Sequence, residues 1–191
     1  PKKVVEGRNG RKGRKEQRIL TDQDSNLNFE DVAKNKNRDV KDYYMKLAKK
    51  VNATLENIGY EFCQYGNIAS NMSWCKSLTD WIKQYNTWMN TPGETANEIC
   101  SIFFDYEIAF GETRLMEALT EAIFKNIKNN QLFFDYLGND ALRKPAPLGF
   151  FKKFNVEEEG PNKDKFDIKT RALMPLIDAA RLFTLSHNIK G

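Results

Sequence analysis

Apolar residues recur at spacings of three and four in several stretches of this chain, which limits it to a fold built largely from amphipathic helices. In residues 38–58, RDVKDYYMKLAKKVNATLENI, the residues Val40, Tyr44, Leu47, Val51, Leu55 and Ile58 share one face opposite a Lys-rich one, and Gly59 marks the stop. Leu78, Trp81, Tyr85 and Trp88 repeat at three, four and three, and this aromatic stripe reads as core rather than as a stacking platform. The helical pattern returns from Glu112 with Leu115, Leu119 and Ala122, continues in NQLFFDYLGNDAL (130–142), and closes with a helix that Pro175 starts. Leu176, Ala180 and Phe183 share one face of that last helix.

Between these stretches the period changes. CSIFFDYEIAF (100–110) is β-branched and aromatic and predicts a buried strand. Thr91 and Pro92 suit the start of a short helix before it, whereas residues 59–73 have no sustained period and read as a loop. Residues 144–169, rich in Pro, Gly and charge, read as an ordered connection or hairpin. The order is mixed α/β early and helical late, an α+β chain with a small mixed sheet docked on a helical bundle. The expected division is an α/β domain over 1–110 and a helical domain over 111–191.

Composition narrows the chemistry. Hydrophobic residues make up 40% of the 191, enough for a folded core, and no apolar run approaches the length of a membrane helix. No signal peptide opens the sequence, and the three cysteines (Cys63, Cys75, Cys100) lack metal-type or CxxC spacing, so a reduced, cytoplasmic setting is expected. The single histidine, His187, reads as a helix-end cation, so serine-histidine, cysteine-histidine and histidine-rich zinc chemistry lose their basis. Carboxylates and cations must carry any reaction. The basic excess is local: residues 1–18 sum to +6 and the remainder to −2, which fits a small phosphate ligand at least as well as nucleic acid.

That excess lies in and around GRKGRKEQRILTDQDSNLNFED (10–31). If ILTDQDSNLNF is extended, Asp22 and Asp24 lie at i and i+2 and point to one face, about 7 Å apart at Cα. Two carboxylates that close repel, and a hard divalent cation, Mg²⁺ or Mn²⁺, offsets the repulsion. A calcium loop starting at Asp22 is excluded, because its sixth position is Leu27 and its twelfth Ala33. Gly10 and Gly13 permit close backbone approach to an anion, and Arg11 and Arg14 can add charge-assisted contacts to phosphate. Alternatively, the stretch is a solvated basic arm.

Glycines for an anion, then D-x-D on a strand, is the order used by polymerase-β-type nucleotidyltransferases. GRKGRKEQRILTDQDS closely resembles G-S-x-G-R-x-E-Q…T-D-Q-D-N of the nucleotidyltransferase family of bacterial signalling proteins. That domain often follows CBS or cyclic-nucleotide-binding domains and is similar to the catalytic domain of PII-protein uridylyltransferase. GYEFCQYGNIASNMSWCKSLTDW matches a second family block at Gly59, Tyr60, Cys63, Ala69, Asn71 and Trp74. IFFDYEIAFGE matches a third at Ile102 to Asp105 and Gly111. FDIKTRALMPLIDAARLFTL matches the closing one at Asp167, Lys169, Pro175, Asp178 and Arg181.

The resemblance implies a polymerase-β-type core followed by a helical substrate-binding domain, and transfer of a nucleoside monophosphate from a triphosphate to a protein or small acceptor. By resemblance, Asp22, Asp24 and Asp105 are the catalytic and metal-binding carboxylates, with Mg²⁺ or Mn²⁺ between them. Gly10, Arg11, Gly13, Arg14 and Gln17 would bind phosphate, with Glu16 helping to fix the turn. Asn71, Lys169 and Arg181 are the candidates for substrate binding. Upstream CBS or cyclic-nucleotide-binding domains are implied as neighbours; a membrane is not, and nucleic acid is disfavoured. Three departures favour the alternative of a catalytically degenerate nucleotide sensor or docking domain. Arg11 stands for the family's serine, Glu107 stands for its arginine, and the strand expected before Gly10 is barely present in PKKVVEGRN, making the core look incomplete at its N-terminal end.

Overall fold

The structure is a computed structural model that describes residues 3–16, 22–91, 102–143, 146–149 and 153–189. A four-stranded mixed sheet organises the first part, built from β1 (Val4–Asn9), β2 (Ser25–Phe29), β3 (Cys75–Ser77) and β4 (Tyr106–Gly111) in the order β3-β2-β1-β4. β1 runs antiparallel to both β2 and β4, and β3 lies parallel to β2. Among the described residues five α-helices accompany the sheet: α1 (Lys34–Asn57), α2 (Leu78–Asn90), α3 (Thr113–Ile127), α4 (Gln131–Arg143) and α5 (Met174–Ser186). The α+β architecture read from the sequence, a mixed sheet followed by a mainly helical region, is the one observed.

β1 corrects the expectation of a barely formed strand. Its six residues place Val5, Gly7 and Asn9 inward while Glu6 and Arg8 take the alternate positions. The alternation, rather than the apolar count, makes it a strand, and partners on both sides fix it at the centre of the sheet. β2 is buried along its whole length because both faces are covered. Leu27 and Phe29 pack in one cluster with Tyr44, Met45 and Ala48 of α1. Asn28 instead donates to the Leu115 carbonyl of α3 at 3.3 Å, and Asn26 donates to the Asn9 side chain at 2.8 Å.

The larger core joins Val5 of β1 to α2, α3, α4 and Leu185 of α5. Trp81, Tyr85 and Trp88 are buried in it, as their spacing predicts. Trp81 also satisfies its indole N–H on the Leu27 carbonyl at 2.8 Å, tying α2 to the sheet. Two helix faces differ from the sequence reading. α1 buries Tyr44, Met45, Ala48 and Asn52, so its inner stripe is rotated from the one expected, and Ile58 is exposed. On α5 the face of Leu176, Ala180 and Phe183 points outward, with Leu176 68% and Phe183 65% exposed, while Asp178, Arg181 and Leu185 are buried.

The predicted strand over 100–110 begins later than expected. Ile102 and Phe103 are helical, Phe104 and Asp105 turn, and only then does β4 start. Asp105 is therefore at the entry to a strand and not at its centre. Packing explains the difference: Phe103 sits among Trp74, Trp81 and Trp88, and its carbonyl accepts from the Tyr85 hydroxyl at 2.6 Å. A run buried on one aromatic cluster mimics a strand in composition. The expected short helix after Thr91 lies outside the described residues. Among the described residues no helix is long and apolar enough to cross a membrane.

Candidate functional site

β1 ends at Asn9, and Gly10 turns the chain with φ of +59°, a conformation that glycine adopts without a steric penalty. Its N–H donates to the Ile102 carbonyl at 3.1 Å, and its own carbonyl accepts from Arg14 N–H at 3.1 Å, closing a tight loop. Gly13 is held against the entry to β4 so closely that a Cβ there would lie 2.1 Å from the Asp105 carbonyl oxygen. This seating turns Arg11 and Arg14 into a cleft of about 610 Å³ that Asp22, Asp24, Lys169 and Arg181 also line.

The two aspartates reach that cleft because the residue between them points the other way. Gln23 is buried, pairs with the Asn52 side chain of α1, and donates to the Tyr60 carbonyl at 2.9 Å. Its backbone N–H donates to the Glu61 carbonyl at 2.8 Å, in an isolated parallel bridge to Phe62. Asp22 and Asp24 thus share the opposite face, as i and i+2 residues of an extended segment must. The Cys63 thiol meets them there, and donor atoms of Asp22, Asp24 and Cys63 all lie within 4.8 Å of one another. Burial raises the Asp24 carboxyl above its ordinary value; nearby Asp22 adds to this, while a bond from Cys63 and the charge of Lys12 oppose it. Burial, with that same bond to Asp24, also pushes the Cys63 thiol up. Arg11 donates to Asp22 at 3.3 Å.

Asp105 is arranged differently. Only 9% of its side chain is exposed, and Arg181 of α5 grips both oxygens at 3.0 and 2.6 Å. Arg14 donates to the same carboxylate and also to Glu16 at 3.0 Å, while Arg181 reaches Asp178 at 2.7 Å. The Asp105 oxygens therefore face two guanidinium groups, and the donor cluster is completed by Cys63 instead. Arg181, 6% exposed, spends its guanidinium edges inside this network. Lys169, at the start of a π-helical turn (Lys169–Leu173) that leads into α5, is exposed on the cleft.

Asn71 does not line the cleft. It accepts from Ser73 N–H and donates to the Gly66 carbonyl at 2.9 Å, bracing the loop that carries Cys63. Gln17 lies outside the described residues, as does Cys100. Cys63, Tyr65 and Asn67, which line the cleft from that loop, were assigned no role from the sequence, since an aperiodic segment gives no facing information.

Residues 8–95 match the family model described as "Putative nucleotidyltransferase DUF294". Residues 131–191 match the one described as "Putative nucleotidyltransferase substrate binding domain". The chain belongs to the DUF294 family. The first matched segment of the DUF294 chain holds Asp22, Asp24 and Cys63; the second holds Lys169, Asp178 and Arg181; Asp105 falls between them. No curated protein and no solved structure matches the chain.

Proposed function

We propose that this DUF294 chain transfers a nucleoside monophosphate from a nucleoside triphosphate to a protein or small-molecule acceptor, in the manner of PII-protein uridylyltransferase. The observation that carries this reading is the convergence of Asp22 and Asp24, with donor atoms within 4.8 Å, on a cleft that also receives Arg11 and Arg14 from the glycine turn. The two carboxylates fit Mg²⁺ or Mn²⁺, since a half-buried Asp24 beside Asp22 is a pair whose charge a divalent cation would balance. Bound there, the metal would supply charge neutralisation for the triphosphate and activation of the acceptor oxygen. Cys63 is a softer donor, better suited to Mn²⁺ than to Mg²⁺.

The chain's own groups do the rest. Arg14 and the N–H groups of the glycine turn would hold the phosphates; Arg11, paired with Asp22 at 3.3 Å, lines the same cleft and could add a contact to them, while Asp22 and Asp24 would hold the cation. Asp105 fixes Arg14 and Arg181 in position, so in this reading it orients cations and is not a third metal ligand. Lys169, from the far wall, meets the acceptor. CBS or cyclic-nucleotide-binding domains upstream in the same polypeptide would govern access.

A second reading, a nucleotide sensor without turnover, is favoured by the Arg11–Asp22 pair and by the engagement of Asp105 with two arginines. Thermal unfolding and pyrophosphate release with each of ATP, GTP, CTP and UTP, with and without Mg²⁺, separate the two. A nucleotide at 100 times its dissociation constant stabilises by about 2.7 kcal/mol, or roughly 5–10 °C at this size. Transfer predicts Mg²⁺-dependent stabilisation and pyrophosphate, both lost in Asp22→Asn and Asp24→Asn. Metal-independent binding without pyrophosphate assigns the sensor.

A further inference from the structure

The loop after Cys63 is held rigidly beside the carboxylates. Gly66 N–H donates to the Cys63 carbonyl at 3.0 Å, and the Gly66 carbonyl accepts from both Asn71 and the Trp74 indole, at 2.9 and 3.0 Å. Ser25 N–H donates to the Asn67 carbonyl at 3.0 Å, and Ala69 N–H to the Ser25 hydroxyl at 3.1 Å. The Asn67 N–H is itself bonded to the Cys63 sulfur.

Two side chains of this braced loop enter the cleft without a partner among the described residues. Asn67 is only 7% exposed, yet its side-chain amide makes no hydrogen bond there. The amide opens onto the cleft with both donor and acceptor free for a polar ligand group. Tyr65 is 86% exposed at the rim of the same cleft, its ring uncovered and its backbone fixed. On the α5 side the cleft is walled by Leu173, Leu176 and Ile177.

Asn67 and Tyr65 line the same cleft as Asp22, Asp24 and Cys63, and the Asn67 N–H on the Cys63 sulfur ties this part of the loop to the carboxylates. A nucleotide whose triphosphate lies on the two aspartates would place its sugar and base elsewhere in that shared cleft. We propose that Asn67 and Tyr65 form the nucleoside end of the cleft, with the Asn67 amide on a ribose hydroxyl and the Tyr65 ring stacked on the base. This rests on the nucleotide reading above and adds to it the residues that distinguish a nucleoside triphosphate from bare polyphosphate.

Calorimetric binding with Mg²⁺ tests it, using tripolyphosphate, the four ribonucleoside triphosphates and 2′-deoxy-ATP against the unmodified chain, Tyr65→Ala, Tyr65→Trp and Asn67→Ala. Because Tyr65 is exposed, its variants keep the fold. Nucleotides are expected to bind more tightly than tripolyphosphate. Tyr65→Ala should weaken them about tenfold while leaving tripolyphosphate unchanged, and Tyr65→Trp should restore them. Asn67→Ala should reduce the preference for ATP over 2′-deoxy-ATP. Nucleotides that bind equally well to the unmodified chain and to Tyr65→Ala overturn the subsite while the nucleotide site stands. Failure of nucleotides and tripolyphosphate alike overturns the nucleotide reading, and the subsite with it.

Discussion

Gly13 has no room for a side chain. An added methyl would meet the Asp105 carbonyl oxygen at 2.1 Å and the Tyr106 Cα at 2.9 Å, both backbone atoms that cannot rotate aside. Gly13→Ala is therefore expected to destabilise the chain by about 2–4 kcal/mol, read as a lower urea midpoint at unchanged slope. The sequence marked this glycine for its spacing from Gly10 and assigned it to phosphate. The structure adds that Gly13 packs the loop onto the entry to β4, a contact between residues 92 positions apart that no local pattern reports. Asp22 and Asp24 were more legible, because a two-residue repeat on an extended segment fixes their shared face through backbone geometry alone.

β3 shows how an element escapes a sequence reading. It is three residues long, too short for a period, and it exists because Cys75 and Ser77 line up with Leu27 and Phe29 of β2. Cys75 is fully buried in the cluster beneath α1, and that burial pushes its thiol up to about 11 from an ordinary value of 9.0. Since the unfolded thiol ionises first, stability is complete below pH 9 and falls as pH rises toward 11. The loss is on the order of 2–3 kcal/mol. Urea titrations at pH 8 and pH 11 check it, and Cys75→Ala should flatten the difference. α5 is the opposite case. Its apolar residues are regular, but the face that the fold buries is Asp178, Arg181 and Leu185, selected by an ion pair to a distant carboxylate.

That carboxylate matters most for the molecule as a whole. Asp105 joins the glycine turn, through Arg14, to α5, through Arg181, so one nearly buried side chain links the two ends of the sequence. Asp105→Ala would leave the Arg181 guanidinium buried, with Asp178 as its remaining ion-pair partner among the described residues. A destabilisation of about 3–5 kcal/mol is expected, measurable by equilibrium urea unfolding. A protein in which Asp105 served only as a metal ligand would instead keep its metal-free stability.

Local rules sufficed for the α+β class, for the aromatic core of α2, for the glycine turn and for the facing of Asp22 and Asp24, because helical and extended periods are properties of neighbouring residues. The tertiary structure alone decided that β1 is a central strand, that Cys63 joins the two aspartates, and that Asp105 is held by two arginines. These depend on which distant segments share a cavity, and burial and charge pairing across the fold settle that where no spacing along the chain can.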